Sequence, residues 1–106
     1  FAAVAQSANC PPSVNVSSSG SPEIHGVYTP RGTEAGKMFY KFNTETSDEP
    51  YGWGIFWDGG IASGWCITDF EGTVMYYSME DVKYPYQVTT WIEYNGVSPA
   101  PTVSME

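Results

Sequence analysis

The chain has 106 residues, 42% of them hydrophobic and 16% aromatic, but only 15% charged. That composition can fill one core and is not the composition of a disordered segment. Acidic residues outnumber basic ones 12 to 4, for a net charge of -8, which argues against nucleic acid and anionic membrane surfaces, since both need clustered Lys and Arg.

The first segment, Phe1 to Ala8, is apolar and has the small residues Ala3 and Ala5 where a signal peptidase would cut. It reads as a signal remnant, as an arm packed on its own body, or as an arm lent to a neighbour. Cys10-Pro11-Pro12 closes it with a stiff exit, so residues 1–12 are expected to be an N-terminal arm, 13–96 a β domain and 97–106 a Pro/Ser/Thr-rich tail.

In the body, Val14 and Val16 alternate with Ser13, Asn15 and Ser17, the pattern of a half-buried strand. Gly20 to Pro22 is a turn signal, His25 to Thr29 a second strand, and Pro30 to Gly36 a loop. Lys37 to Phe42 alternates again, with Met38, Tyr40 and Phe42 on one face and both lysines on the other. The acidic stretch Asn43 to Gly52 is expected to be a solvated loop. Trp53, Ile55 and Trp57 share a face of the next strand, which Asp58-Gly59-Gly60 turns into Gly64 to Asp69. Glu71-Gly72 turns the chain into Thr73 to Ser78, Glu80 to Pro85 is loop, and Thr89 to Tyr94 is the last strand. No stretch longer than ten residues keeps helical spacing, Met79 to Lys83 offers at most one helical turn, and no apolar run approaches the roughly 18 residues of a membrane helix. About seven short strands predict an all-β fold, a small antiparallel sandwich or a partly open barrel.

Cys10 and Cys66 are the only cysteines, and His25 the only histidine, so a zinc cage is not expected. Two buried free thiols compete with one disulfide. The Cys10–Cys66 bridge is the expectation, worth about 4 kcal/mol on the loop-entropy argument and pointing to an extracellular setting. The acidic residues sit mostly in turns, no serine lies in a nucleophile elbow, and Asp58-Gly-Gly lacks calcium-loop spacing, so neither catalysis nor a metal or cofactor is expected. Asn15-Val16-Ser17 is an N-glycosylation sequon whose alternation turns Asn15 toward solvent, and Ser17 to Ser21 and Ser98 to Ser104 suit O-linked sugars. The tryptophans either fill the core or offer a glycan-stacking row, drawn from Trp57, Trp65 and Trp91. Alternation also leaves Phe39, Phe56 and one of Tyr76 or Tyr77 on the other face.

Gly26-Val-Tyr28, Gly36-Lys37 with Tyr40, Trp53-Gly-Ile55, Trp65-Cys-Ile-Thr-Asp69, Tyr76-Tyr-Ser78, Pro85, Trp91 and Gly96-Val-Ser-Pro99 stand in a characteristic order. Over Val14 to Pro101 they resemble a small β module of uncharacterised function from extracellular proteins of algae and other microbial eukaryotes. The resemblance implies a scaffold role and brings no catalytic residues. With its arm the chain also resembles subunits of glycosylated extracellular fibrils that exchange strands. The expectation is therefore a non-enzymatic subunit of an extracellular filament, its partners further copies of itself and glycans. Phe1, Ala3, Val4 and Ala5 would insert into the next copy. The alternative is a carbohydrate-binding module using the tryptophans.

Overall fold

The computed structural model describes residues 12–49, 51–60 and 63–106. Val14 and Val16 turn inward from β1 (Val14–Ser17), as the alternation requires. A single 3-10 turn, Pro22–Ile24, then drops Ile24 into the core. β2 (Gly26–Glu34) and β3 (Lys37–Phe42) form a hairpin closed by Ala35 and Gly36. Both of these residues have positive φ, 54° and 86°, the two-residue turn that matches strand twist.

β2 runs through the stretch expected to be loop, despite Pro30 and Gly32. A bulge between these two absorbs the irregularity. The Asn43 N–H donates to Val27 O, so Val27 and Thr29 bond toward β3 while Tyr28 and Pro30 face the other way. There β1 reaches only as far as Tyr28, so the N–H that proline lacks has no partner to miss.

β4 (Gly54–Asp58), β5 (Gly64–Thr68), β6 (Val74–Ser78) and the short β7 (Ile92–Glu93) continue the meander. β8 (Thr102–Met105) returns to pair with β1, giving one antiparallel sheet in the order β7-β6-β5-β4-β3-β2-β1-β8. The architecture is a curled half-barrel, all-β and with no α-helix among the described residues. Among the described residues all eight strands belong to this one sheet, so of the two expected forms the partly open barrel is the one seen.

Two expectations for the end of the chain are corrected. The tail after residue 96 contains a strand: Thr102 to Met105 alternates, Val103 is buried, and the preceding prolines fall before the ladder begins. The strand expected over Thr89 to Tyr94 shrinks to two residues. The Glu80 carboxylate takes the backbone N–H groups of Thr89 and Thr90, both at 2.9 Å, that a longer ladder would have used.

The core lies in the concave face. Val14, Val16, Tyr28, Tyr40, Ile55, Trp57, Trp65, Ile67, Tyr76 and Val103 come from the strands, while Trp91 with Val82, Tyr86, Val88 and Ala100 comes from the connecting chain that covers the opening. Hydroxyls tie the cover down: Tyr76 Oη donates to Val97 O at 2.6 Å and meets Ser21 Oγ at 3.1 Å. Trp53 departs from the expected face. Its φ of 50° turns it out of register with Ile55 and Trp57, and it stacks on Phe42 at 4.3 Å with the rings 5° from parallel.

Candidate functional site

The tryptophans offer no free platform. Trp65 is wholly buried, and Trp57 and Trp91 are 7% and 6% exposed. Trp65 Nε1 donates to Val82 O at 3.0 Å, and Trp57 and Trp65 pack edge to face at 5.9 Å. Their burial follows from the inward alternation of β4 and β5 and the need to fill a wide concave face with few residues. This corrects the surface row expected from Trp57, Trp65 and Trp91.

The aromatic surface lies instead on the convex face. Register pairs Phe56 with Cys66, Cys66 with Tyr77, and Tyr77 with Ile92. Continuing the Tyr40–Ile55 register by one residue adds Phe39 opposite Phe56. The row is thus Phe39–Phe56–Cys66–Tyr77–Ile92, on five consecutive strands. Its two halves differ in cover. Phe39 and Phe56 are buried, and the Tyr51 ring meets Phe56 edge to face at 5.1 Å. Gly32 leaves space there, since a Cβ at that position would lie 2.9 Å from Phe39.

Lys41 holds this cover in place. It lies on the face opposite Met38, Tyr40 and Phe42, as expected, and is buried there, with Nζ donating to Tyr51 O at 3.1 Å and to Gly52 O. Burial lowers its pKa, partly offset by the nearby Glu45. A buried ammonium needs such acceptors to offset its lost hydration. Arg31, at the β2 bulge, grips the same acidic loop through Glu45 O at 2.8 Å and an ion pair with Asp48 at 3.5 Å.

The other half of the row lies open as a groove of about 420 Å³, lined by Asp58, Gly64, Cys66, Val74, Tyr77, Met79 and Tyr94. Tyr77 and Tyr94 meet at right angles, with centroids 6.0 Å apart. Gly64 keeps the floor low, because a Cβ there would lie 2.7 Å from Ser78 O. Asp58 Oδ1 accepts the Gly60 N–H at 3.0 Å. Burial, with a contribution from Asp58, pushes the Cys66 thiol up to about 11, so it is protonated and poorly nucleophilic at neutral pH. The groove therefore offers apolar contact, two phenols and one carboxylate, but no activated nucleophile.

The expected Cys10–Cys66 disulfide is not supported: Cys66 is a free thiol, and Cys10 lies outside the described residues. Phe1, Ala3, Val4 and Ala5 also lie outside them. Asn15 sits mid-strand between Val27 and Ser104, on the face opposite Val14 and Val16, and is half-buried. His25 Nε2 is taken up by Ser19, at 2.8 Å from its Oγ. Among the described residues no three His, Cys, Asp or Glu side chains gather as a metal site. Sequence reading placed Phe39 and Phe56 on the second face but missed the groove. Its members come from four separated stretches that only register brings together. Comparison with protein-family models, with characterised proteins and with solved structures finds no match for this chain.

Proposed function

We propose that the protein is a structural subunit of a glycosylated extracellular filament, in which the N-terminal arm of one copy adds as a strand to the sheet of the next. The observation that carries this reading is the open edge of the sheet. The Glu106 N–H donates to Ser13 O at 2.8 Å, so by antiparallel alternation Met105 turns its own N–H and C=O away from β1. Met105 is also 56% exposed. Unpaired edges of this kind accept extended segments. Residues 1–10 carry no charged side chain, so the acidic body does not repel them. The sequon at Asn15 is the proposed glycan attachment point.

Met105→Pro tests the contact without breaking β1–β8, because the proline removes an N–H that faces outward. Both that variant and a chain lacking residues 1–9 should stay folded and monomeric under the electron microscope and in sedimentation, whereas the parent chain should form fibres. Fibres from either variant would overturn the reading. So would closed dimers from the parent, because the arm leaves from β1, beside the edge it would join, and reciprocal exchange would close the pair.

A further inference from the structure

The convex groove belongs neither to the core nor to the proposed β8 contact. Cys66, the bare backbone at Gly64, Val74, Tyr77, Met79 and Tyr94 line it, and Asp58 joins them from β4, opposite Gly64. Tyr94 is 69% exposed, far more than a ring held by packing would be. A ligand matching these surfaces needs an apolar face for the floor and rings, and polar groups on its rim for the phenols and the carboxylate. A pyranose has that outline: a C–H face that stacks on aromatic rings and an edge of hydroxyls.

Charge selects among pyranoses. Arg31 and Lys37 are paired with Asp48 and Asp81, Lys41 is buried, and Lys83 lies over the Tyr84 ring at 5.4 Å. An acidic sugar would meet a molecule of net charge -8 with all four of its basic side chains engaged. A cationic one would be drawn in and find a carboxylate. We infer that the groove binds an amino-bearing pyranoside, with its ring face against the exposed Tyr94, its edge toward Tyr77 and its ammonium at Asp58. The Gly60 N–H fixes one Asp58 oxygen, which orients the carboxylate and leaves the other for the ligand. The protonated thiol of Cys66 gives a neutral floor.

Titrating the full chain with a glucosamine tetramer, followed by tyrosine ring resonances in NMR, tests the inference. The N-acetylated tetramer should bind about tenfold more weakly, through loss of the charge-assisted contact, and a galacturonate tetramer should not bind. Salt should weaken the amino sugar selectively. Tyr94→Ala should reduce affinity about tenfold while Tyr94→Phe retains it, and Asp58→Asn should bring both glucosamine forms to the same affinity. Equal binding of all three sugars, no binding of the glucosamine tetramer, or indifference to both Tyr94→Ala and Asp58→Asn would overturn it. The inference does not rest on assembly: a chain lacking residues 1–9 should bind identically.

Discussion

On the concave face of the sheet, three buried polar atoms have partners: Tyr28 Oη donates to Ile24 O at 2.7 Å, Tyr76 Oη to Val97 O, and Trp65 Nε1 to Val82 O. On the convex face the same strands carry an equally aromatic row, but only the half that Tyr51 meets is closed. The difference lies in what covers each face. The concave side is lidded by two connections: the one from β6 to β7 supplies Val82, Tyr86, Val88 and Trp91, and the one from β7 to β8, which runs from one edge of the sheet to the other, supplies Ala100. On the convex side, among the described residues, the cover is the acidic loop after β3, which Lys41 and Arg31 anchor and which reaches Phe56 on β4 through Tyr51. One face thus carries the stability, and the other keeps an apolar surface free for contact.

The largest expected effect separates the two faces directly. Trp65→Ala should cost about 3–5 kcal/mol, through lost burial and the cavity left behind, and Val82 O would keep only its Lys37 donor. Tyr94→Ala, at an exposed ring on the convex face, should stay within about 0.5 kcal/mol. Urea unfolding of both variants measures the contrast. Similar losses would mean that the convex aromatics are part of the core after all.

Much of this division was legible in the sequence. Alternation in Val14 to Ser17, Lys37 to Phe42 and Trp53 to Trp57 gave the strands and most of the core, and the Gly and Asn turns gave their order. What failed did so for identifiable physical reasons. Pro30 and Gly32 read as loop because the pattern does not say which way a backbone N–H points, and at Pro30 it points to an unpaired side. Thr102 to Met105 read as tail because its partner, β1, lies nearly a whole chain away. The face of Lys41 was legible but its burial was not, because its acceptors, the carbonyls of Tyr51 and Gly52, become a site only once the loop folds over β3. The groove was hidden for the same reason: Asp58, Cys66, Tyr77 and Tyr94 share no local pattern, only a register.

A smaller effect tests whether partnered burial distinguishes positions within the concave face itself. Tyr76 Oη has two partners, Ser21 Oγ and Val97 O, whereas Tyr40 Oη, equally buried, has none among the described residues. Tyr76→Phe should therefore destabilise by about 1–3 kcal/mol, because it strands an acceptor and unlatches the crossing chain. Tyr40→Phe should leave stability unchanged or raise it, since it removes a buried hydroxyl that makes no hydrogen bond. Thermal melts of the pair check this. Equal losses would show that Tyr40 has a partner in solution, such as a bound water.

The smallest expected effect on stability is at Cys66, and it probes how closed the groove floor is. Burial and Asp58 hold the folded thiol at about 11, above an ordinary value of 9.0. The folded chain therefore keeps a proton that the unfolded chain has lost between those values, and the contribution is present below 9.0 and lost as pH rises toward about 11. Kinetics report the same quantity more sharply. In a Cys10→Ser background, iodoacetamide at pH 8 should alkylate Cys66 about 100-fold more slowly than an unburied thiol, and the rate should climb about tenfold per pH unit. Asp58→Asn removes the lesser cause and should speed the reaction modestly. Tyr94→Ala opens the wall and should speed it more, because desolvation is the larger cause. A rate in the parent chain that levels off near pH 9 would mean that water reaches the thiol freely, and the convex groove would then have no apolar floor for a ligand to cover.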